Sequence, residues 1–91
     1  MLQTKKVEIR DDVYIVTEMK VGDILPILPR LQGEQEEQQA AQLDLLRKCI
    51  LDKDENPIGE GVLELGLSTY MQLAEEVMEI NGLGGEEEGK D

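Results

Sequence analysis

Residues 4–18, TKKVEIRDDVYIVTE, decide the fold class, because they have the pattern of β-strands in a chain whose longer segments have the pattern of helices. Val7 and Ile9 alternate with charged residues, which is the period of a strand with one buried face. The residues from Val13 to Thr17 are all β-branched or aromatic. Asp11-Asp12, between the two runs, has the chemistry of a turn. The stretch therefore predicts a β-hairpin.

Two helical segments follow the hairpin. In KVGDILPILPRL, residues 20–31, apolar residues recur at spacings of three and four, but Pro26 and Pro29 oppose a continuous helix. We expect a short kinked helix, or a turn of helix that restarts at Pro26. A clearer helix is predicted from about Glu36 to Asp52. Its expected core stripe consists of Leu43, Leu46 and Ile50.

The last helix is expected to begin near Ser68 or Thr69, with Thr69 and Gln72 forming a capping box. It ends at Asn81-Gly82, since glycine suits the left-handed position after a helix. The residues from Val62 to Leu67 fit either a short strand or a loose turn. The expected core stripe of the last helix consists of Tyr70, Leu73, Val77 and Ile80.

Together these elements predict an α+β fold, an N-terminal β-hairpin followed by about three helices, with helix predominant. Residues 1–83 are expected to form a single small domain. Residues 84–91 have too little apolar surface to be held down, so we expect a flexible acidic tail there.

Charge and composition exclude several classes of function. The 91 residues carry 9 basic and 21 acidic side chains, a formal charge of −12. Such a surplus of carboxylates argues against a nucleic-acid or anionic-membrane partner, because phosphate binding relies on Lys and Arg. We find neither the apolar core of a signal peptide nor a run near 18 apolar residues, so an intracellular, reduced compartment is expected.

The residue types needed for common catalytic and metal sites are scarce. The chain has no histidine and a single cysteine, Cys49. These counts rule out an intramolecular disulfide, the usual zinc sites and a Cys–His or Ser–His nucleophile. We therefore expect no enzymatic activity, no catalytic or metal site and no cofactor.

One loop has part of a calcium-binding pattern. Asp52, Asp54 and Asn56 have the spacing with which an EF-hand loop begins. Pro57 and Leu63 then stand where that loop needs a glycine and a glutamate. The spacing favours an acidic surface turn, with a rearranged calcium loop as the alternative.

Apolar residues beside the core stripes indicate a partner-binding surface. Met71 and Met78 lie seven residues apart on one flank of the last helix, and Leu45 flanks the stripe of the preceding helix. An apolar arc wider than one core face suggests that another chain covers it, and methionine adapts its shape to a partner. We predict Leu45, Met71 and Met78 as partner-binding residues. The alternative is that a small domain encloses all three.

The order of these segments resembles the small tail assembly chaperones of long-tailed phages. The matching parts are the hairpin, VGDILPILPRL, DLLRKCI and STYMQLAEEVMEINGL, which together lie within residues 5–83. The resemblance implies a non-enzymatic protein of the bacterial cytoplasm that binds the tape-measure protein and helps to bring tail-tube subunits to it. It also implies that the chaperone is absent from the finished virion.

Two other classes of function remain open. An acidic inhibitor or nucleic-acid mimic would occupy the basic groove of a DNA-binding protein, and the 11 acidic residues against 1 basic residue in 54–91 favour it. A self-associating structural subunit, that is, a homo-oligomer, is the third class. Binding that persists at high salt would favour the chaperone, and binding abolished by salt would favour the mimic.

Overall fold

The computed structural model describes residues 2–83, and the segment predicted as a flexible tail, 84–91, lies outside the described residues. A small antiparallel sheet at the N-terminus is followed by helices, so the predicted α+β fold with helix predominant is confirmed. In chain order the elements are β1 (Thr4–Ile9), β2 (Asp12–Thr17), α1 (Val21–Ile24), α2 (Leu28–Leu31), α3 (Gln35–Cys49), β3 (Ile50–Leu51), a 3₁₀ helix (Gly59–Glu64) and α4 (Leu67–Ile80).

The predicted hairpin is confirmed. Strands β1 and β2 pair antiparallel, with Thr4 opposite Thr17 and Ile9 opposite Asp12. The connecting loop is the pair Arg10 and Asp11, one residue earlier than the expected turn. Arg10 has a φ of 57°, a left-handed conformation that a two-residue hairpin loop commonly requires.

The helix predicted over 36–52 is too long at its C-terminal end. It ends at Cys49, and Ile50 and Leu51 form a third strand. Strand β3 pairs antiparallel with β2, with Ile50 opposite Val16 and Leu51 opposite Ile15. Ile50 is fully buried and extended, with φ −110° and ψ 124°. A β-branched residue at this point gives the free edge of β2 a hydrogen-bonding partner, which a continued helix would not.

The proline-containing segment, expected to be a short kinked helix or a turn of helix restarting at Pro26, forms two single turns of helix, α1 and α2. The break falls over residues 25–27, around Pro26, whose ring prevents the first turn from continuing. The second turn begins at Leu28 rather than at Pro26. Pro29 occupies its first turn, where the missing backbone donor costs little.

Helix α4 begins at Leu67, with Gly66 as an N-cap that contributes no side-chain hydrogen bond. The prediction that Thr69 and Gln72 form a capping box is therefore wrong. Thr69 lies inside the first turn and is 7% exposed, so it packs against the core.

The end of α4 is a Schellman motif, and it confirms the terminus predicted at Asn81-Gly82. The Leu83 amide donates to the Met78 carbonyl at 2.7 Å, and the Gly82 amide donates to the Glu79 carbonyl at 3.0 Å. Gly82 has a φ of 74°, which glycine adopts without steric cost.

The core lies between the sheet and helices α3 and α4, and it consists of aliphatic and small side chains. Of the residues expected in the two core stripes, Leu46, Ile50, Leu73 and Val77 are buried, while Leu43, Tyr70 and Ile80 pack partly buried against it. The buried apolar residues are Val16, Ile27, Ala41, Leu45, Leu46, Cys49, Ile50, Val62, Leu73, Ala74 and Val77.

Candidate partner-binding surface

Asn81 holds the C-terminal end of α4 against two other parts of the fold. Its Oδ1 accepts a hydrogen bond from the Met19 amide at 2.9 Å, which ties α4 to the segment after β2. Its Nδ2 donates to the Val77 carbonyl at 2.9 Å and lies 3.8 Å from Cys49 Sγ at the end of α3. One side chain thus joins the C-terminal end of α4 to the segment after β2 and to the end of α3.

One flank of α4 faces strand β1 through an ion pair. Lys5 Nζ donates to Glu76 Oε1 at 2.6 Å and lies 3.9 Å from Glu79 Oε1. The hydrogen bond that Lys5 donates to Glu76, together with the charge of that carboxylate, raises the pKa of Lys5 above its ordinary value. Glu76 is therefore paired within the fold, whereas the Glu79 side chain is 76% exposed.

The opposite flank of α4 is apolar and exposed. Leu67 is 74% exposed and Met71 is 57% exposed, and their spacing of four places them on one side of the helix. Met78, seven residues after Met71, is half-buried on the same flank. The structure therefore brings together two of the three residues predicted to bind a partner.

Met71 and Met78 line an open groove of about 700 Å³ between α4 and α3, which we call the α4 groove. Gln42 lines the groove from α3, and the Tyr70 hydroxyl donates to Gln42 Oε1 at 3.3 Å, which joins the two helices. Partial burial raises the pKa of Tyr70. The residues that line the α4 groove are Gln42, Tyr70, Met71, Ala74, Glu75, Glu76, Met78 and Glu79.

The third predicted residue, Leu45, is not on this surface. Leu45 is 0% exposed and belongs to the core, so its prediction as a partner-binding residue is wrong. Residues two apart on a helix point about 200° away from each other, so Leu43 and Leu45 cannot share one stripe. Leu45 is buried on the same side of α3 as the small residues Ala41 and Cys49, which lie one turn before and one turn after it. Leu43 lies at the edge of the core.

Leu67 also belongs to the apolar flank, although the sequence pattern does not predict it there. The expected helix start at Ser68 or Thr69 placed Leu67 in the preceding strand or turn. If the helix is taken to begin at Leu67, the spacing of four residues from Met71 predicts that Leu67 lies on the same flank.

A second apolar pair is exposed outside the α4 groove. Val21 and Leu25, in the α1 segment, are 69% and 55% exposed. Neither residue lines the α4 groove. Leu25 therefore serves as a control for Met71, since the two side chains have nearly equal exposure.

The acidic loop after β3 is organised as a turn. Asp52 Oδ1 accepts hydrogen bonds from the amides of Asp54 and Asn56 at 2.9 and 3.0 Å, and Glu55 has a φ of 69°. This carboxylate oxygen is thus occupied by the chain itself. Over residues 2–83, the structure contains no group of three or more acidic or cysteine side chains arranged to hold a metal ion.

The thiol of Cys49 is enclosed by the core. The residue is 0% exposed, and burial raises its pKa to about 11, although the contact with Asn81 and the charge of Lys48 act in the opposite direction. A thiol with this pKa is almost entirely protonated at neutral pH, so it is a poor nucleophile and packs as a small apolar side chain.

Comparison with known proteins finds no matching family model, no matching curated protein and no matching solved structure. Between residues 2 and 83, none of the helices combines the length and the apolar character that crossing a bilayer requires.

Proposed function

We propose that this protein is a non-enzymatic assembly chaperone of phage tails. It binds the tape-measure protein through the α4 groove, helps to recruit tail-tube subunits, acts in the cytoplasm of the bacterial host and is absent from the mature virion. The observation that supports this proposal is the exposed apolar flank of α4, where Leu67, Met71 and Met78 lie together beside an open groove.

The geometry of the flank suits a helical client. Leu67 and Met78 are eleven residues apart, which corresponds to about 16 Å along a helix. That length matches about three turns of a partner helix laid into the groove, a common mode of recognition for amphipathic segments. Methionine side chains adapt to different partner side chains, as a chaperone of a long repetitive client requires.

The test is co-expression with the tape-measure protein encoded in the same phage genome. We expect this protein to raise the soluble fraction of the tape-measure protein and to co-purify with it. Met71→Lys places a charge in the groove and should abolish both effects, while Leu25→Lys makes the same charge change at a side chain of similar exposure and should preserve them. A genome without a tape-measure protein, or equal behaviour of the two variants, would contradict the proposal.

A second candidate function is supported by the charge of the C-terminal half. Residues 54–83 contain seven acidic side chains and no basic ones, as a mimic of nucleic acid would need. Three of these carboxylates already lie within ion-pair distance of a basic side chain, Glu60 near Arg47 and both Glu76 and Glu79 near Lys5. Complex formation measured at about 0.15 M and 0.5 M salt separates the two functions, because screening abolishes a purely electrostatic complex and leaves apolar contacts intact.

A further inference from the structure

We propose that the occupant of the α4 groove is an amphipathic helix of another protein, whose apolar stripe is bordered by Lys or Arg on the edge that faces α4. This inference rests on the proposed function, since it assigns the chemistry of the segment that the chaperone binds.

The apolar part of the groove lies next to α3. Tyr70, Ala74 and Met78 follow one another at intervals of four and form a continuous strip along α4. Met71 and Leu67 continue this strip toward solvent. A partner helix seated here would contact α4 over about 18 Å, from residue 67 to residue 79, which corresponds to about twelve of its own residues.

Two carboxylates follow the apolar strip around the helix. At about 100° per residue, Glu75 lies about 40° and Glu79 about 80° beyond Met71, on the side away from α3. Glu75 is exposed and has no basic side chain within ion-pair distance among residues 2–83. Glu79 lies 3.9 Å from Lys5 at its nearest, and its side chain is 76% exposed. We call Glu75 and Glu79 the acidic edge of the groove.

The opposite wall of the groove is neutral. It is formed from α3 by Gln42, and the smaller adjoining hollow beside Met78 is lined by Gln38 and Gln39. The groove thus has an apolar floor, amides on one wall and carboxylates on the other. A helix with cations along only one border of its apolar stripe matches this asymmetry.

A second copy of this chain does not match the groove. Each copy carries a net charge of −12, so two copies repel each other, and an antiparallel pair of α4 helices related by a twofold axis would also bring their acidic edges together. The sequence of residues 84–91, GGEEEGKD, carries the same sign of charge and is excluded as an occupant for the same reason. The favoured partner is therefore a different, basic polypeptide segment.

The probes for the test are three helical peptides of about fourteen residues, built on alanine. The first has a leucine stripe bordered on one side by lysines, the second has glutamates in place of the lysines, and the third has the composition of the first with the leucines scattered around the helix. Binding is measured by fluorescence anisotropy, and the binding site is mapped by amide chemical shifts of the full-length chain.

We expect the first peptide to bind at residues 67–79 and at Gln42, and the other two to bind at least about tenfold more weakly. The double variant Glu75→Gln, Glu79→Gln should weaken binding of the first peptide by about three- to tenfold, since each exposed ion pair contributes modestly. The control is Glu55→Gln, Glu64→Gln, which changes the net charge equally outside the groove and should have little effect.

Equal weakening by both double variants would show that the net charge alone attracts the peptide, and the inference would be wrong. Equal binding of the lysine and glutamate peptides, or shifts located elsewhere, would also overturn it. If the tape-measure protein is kept soluble but the peptides show no preference, the proposed function stands and this inference fails. If the peptides bind as expected and the tape-measure protein stays insoluble, the proposed function fails.

Discussion

Replacement of Asn81 by alanine should destabilise the fold by about 2–3 kcal/mol. The variant loses two well-formed hydrogen bonds, to the Met19 amide and the Val77 carbonyl, each at 2.9 Å and each contributing about 1 kcal/mol. It also loses the weaker contact with Cys49 Sγ at 3.8 Å and leaves the half-buried Met19 amide without its acceptor. For a domain of this size, such a loss lowers the midpoint of thermal unfolding by roughly 10–20 °C.

The assay is thermal and urea unfolding followed by circular dichroism at 222 nm. Asn56→Ala is the matched control, because the Asn56 side chain is exposed and makes no hydrogen bond within residues 2–83, so its effect should stay within about 0.5 kcal/mol. If Asn81→Ala is as stable as the wild type, this side chain does not fasten α4.

The variant Asn81→Asp tests the same contacts by placing a negative charge at this position. It keeps an acceptor for the Met19 amide, but it places a carboxylate against the Val77 carbonyl at the negative end of α4. Folding then disfavours the ionised form, which raises the pKa of the new carboxyl above about 3.9. Destabilisation relative to the wild type should be present at neutral pH and diminish as the pH falls through that pKa.

Four further predictions concern the core, two turns and the thiol. Leu45→Ala should lower the free energy of unfolding by about 2–5 kcal/mol because Leu45 is fully buried. Met71→Ala, at an exposed residue, should lower it by less than about 0.5 kcal/mol. Similar losses for the two variants in urea unfolding would contradict the assignment of Leu45 to the core. Gly82→Ala should cost about 1 kcal/mol because a side chain disfavours its φ of 74°, and an unchanged unfolding midpoint would argue against the Schellman motif. Glu55→Gly should stabilise the fold by about 0.5–1 kcal/mol, since glycine adopts a φ of 69° freely; a lower unfolding midpoint would show that the Glu55 side chain is needed. The pKa of Cys49 is about 11 in the folded chain and 9.0 ordinarily, so the unfolded thiol ionises first as the pH rises. The wild type should therefore lose about 2–3 kcal/mol of stability between pH 9 and 11, and Cys49→Ala should not show this loss. Parallel plots of stability against pH for the two proteins would exclude this linkage.

The hairpin and the end of α4 were predictable because each has a local cause. Alternation of Val7 and Ile9 with charged residues fixes which face of β1 is buried, and Gly82 supplies the one conformation that a Schellman motif requires. Strand β3 was not predictable in this way. Ile50 and Leu51 are too few to show an alternating pattern, and they become a strand only because the edge of β2 lies beside them in the folded chain.

The candidate surface was predictable on α4 but not on α3. Met71 and Met78 stand out on α4 because its core stripe is unambiguous, and both residues do line the groove. On α3, Leu43 and Leu45 point in opposite directions, so spacing alone leaves the phase of the stripe undecided. Packing decides it, since the small side chains of Ala41 and Cys49 allow close approach on the side of Leu45.

The order of the sheet, β1-β2-β3, bears on how the protein resists aggregation. Strand β1 forms one edge, and the charges of Lys5 and Lys6 discourage a foreign strand from adding to it. At the other edge, Leu51 of β3 is bridged by Pro57, a residue with no backbone donor to offer to an incoming chain. Both edges of the sheet are thus protected against serving as a template for fibril growth.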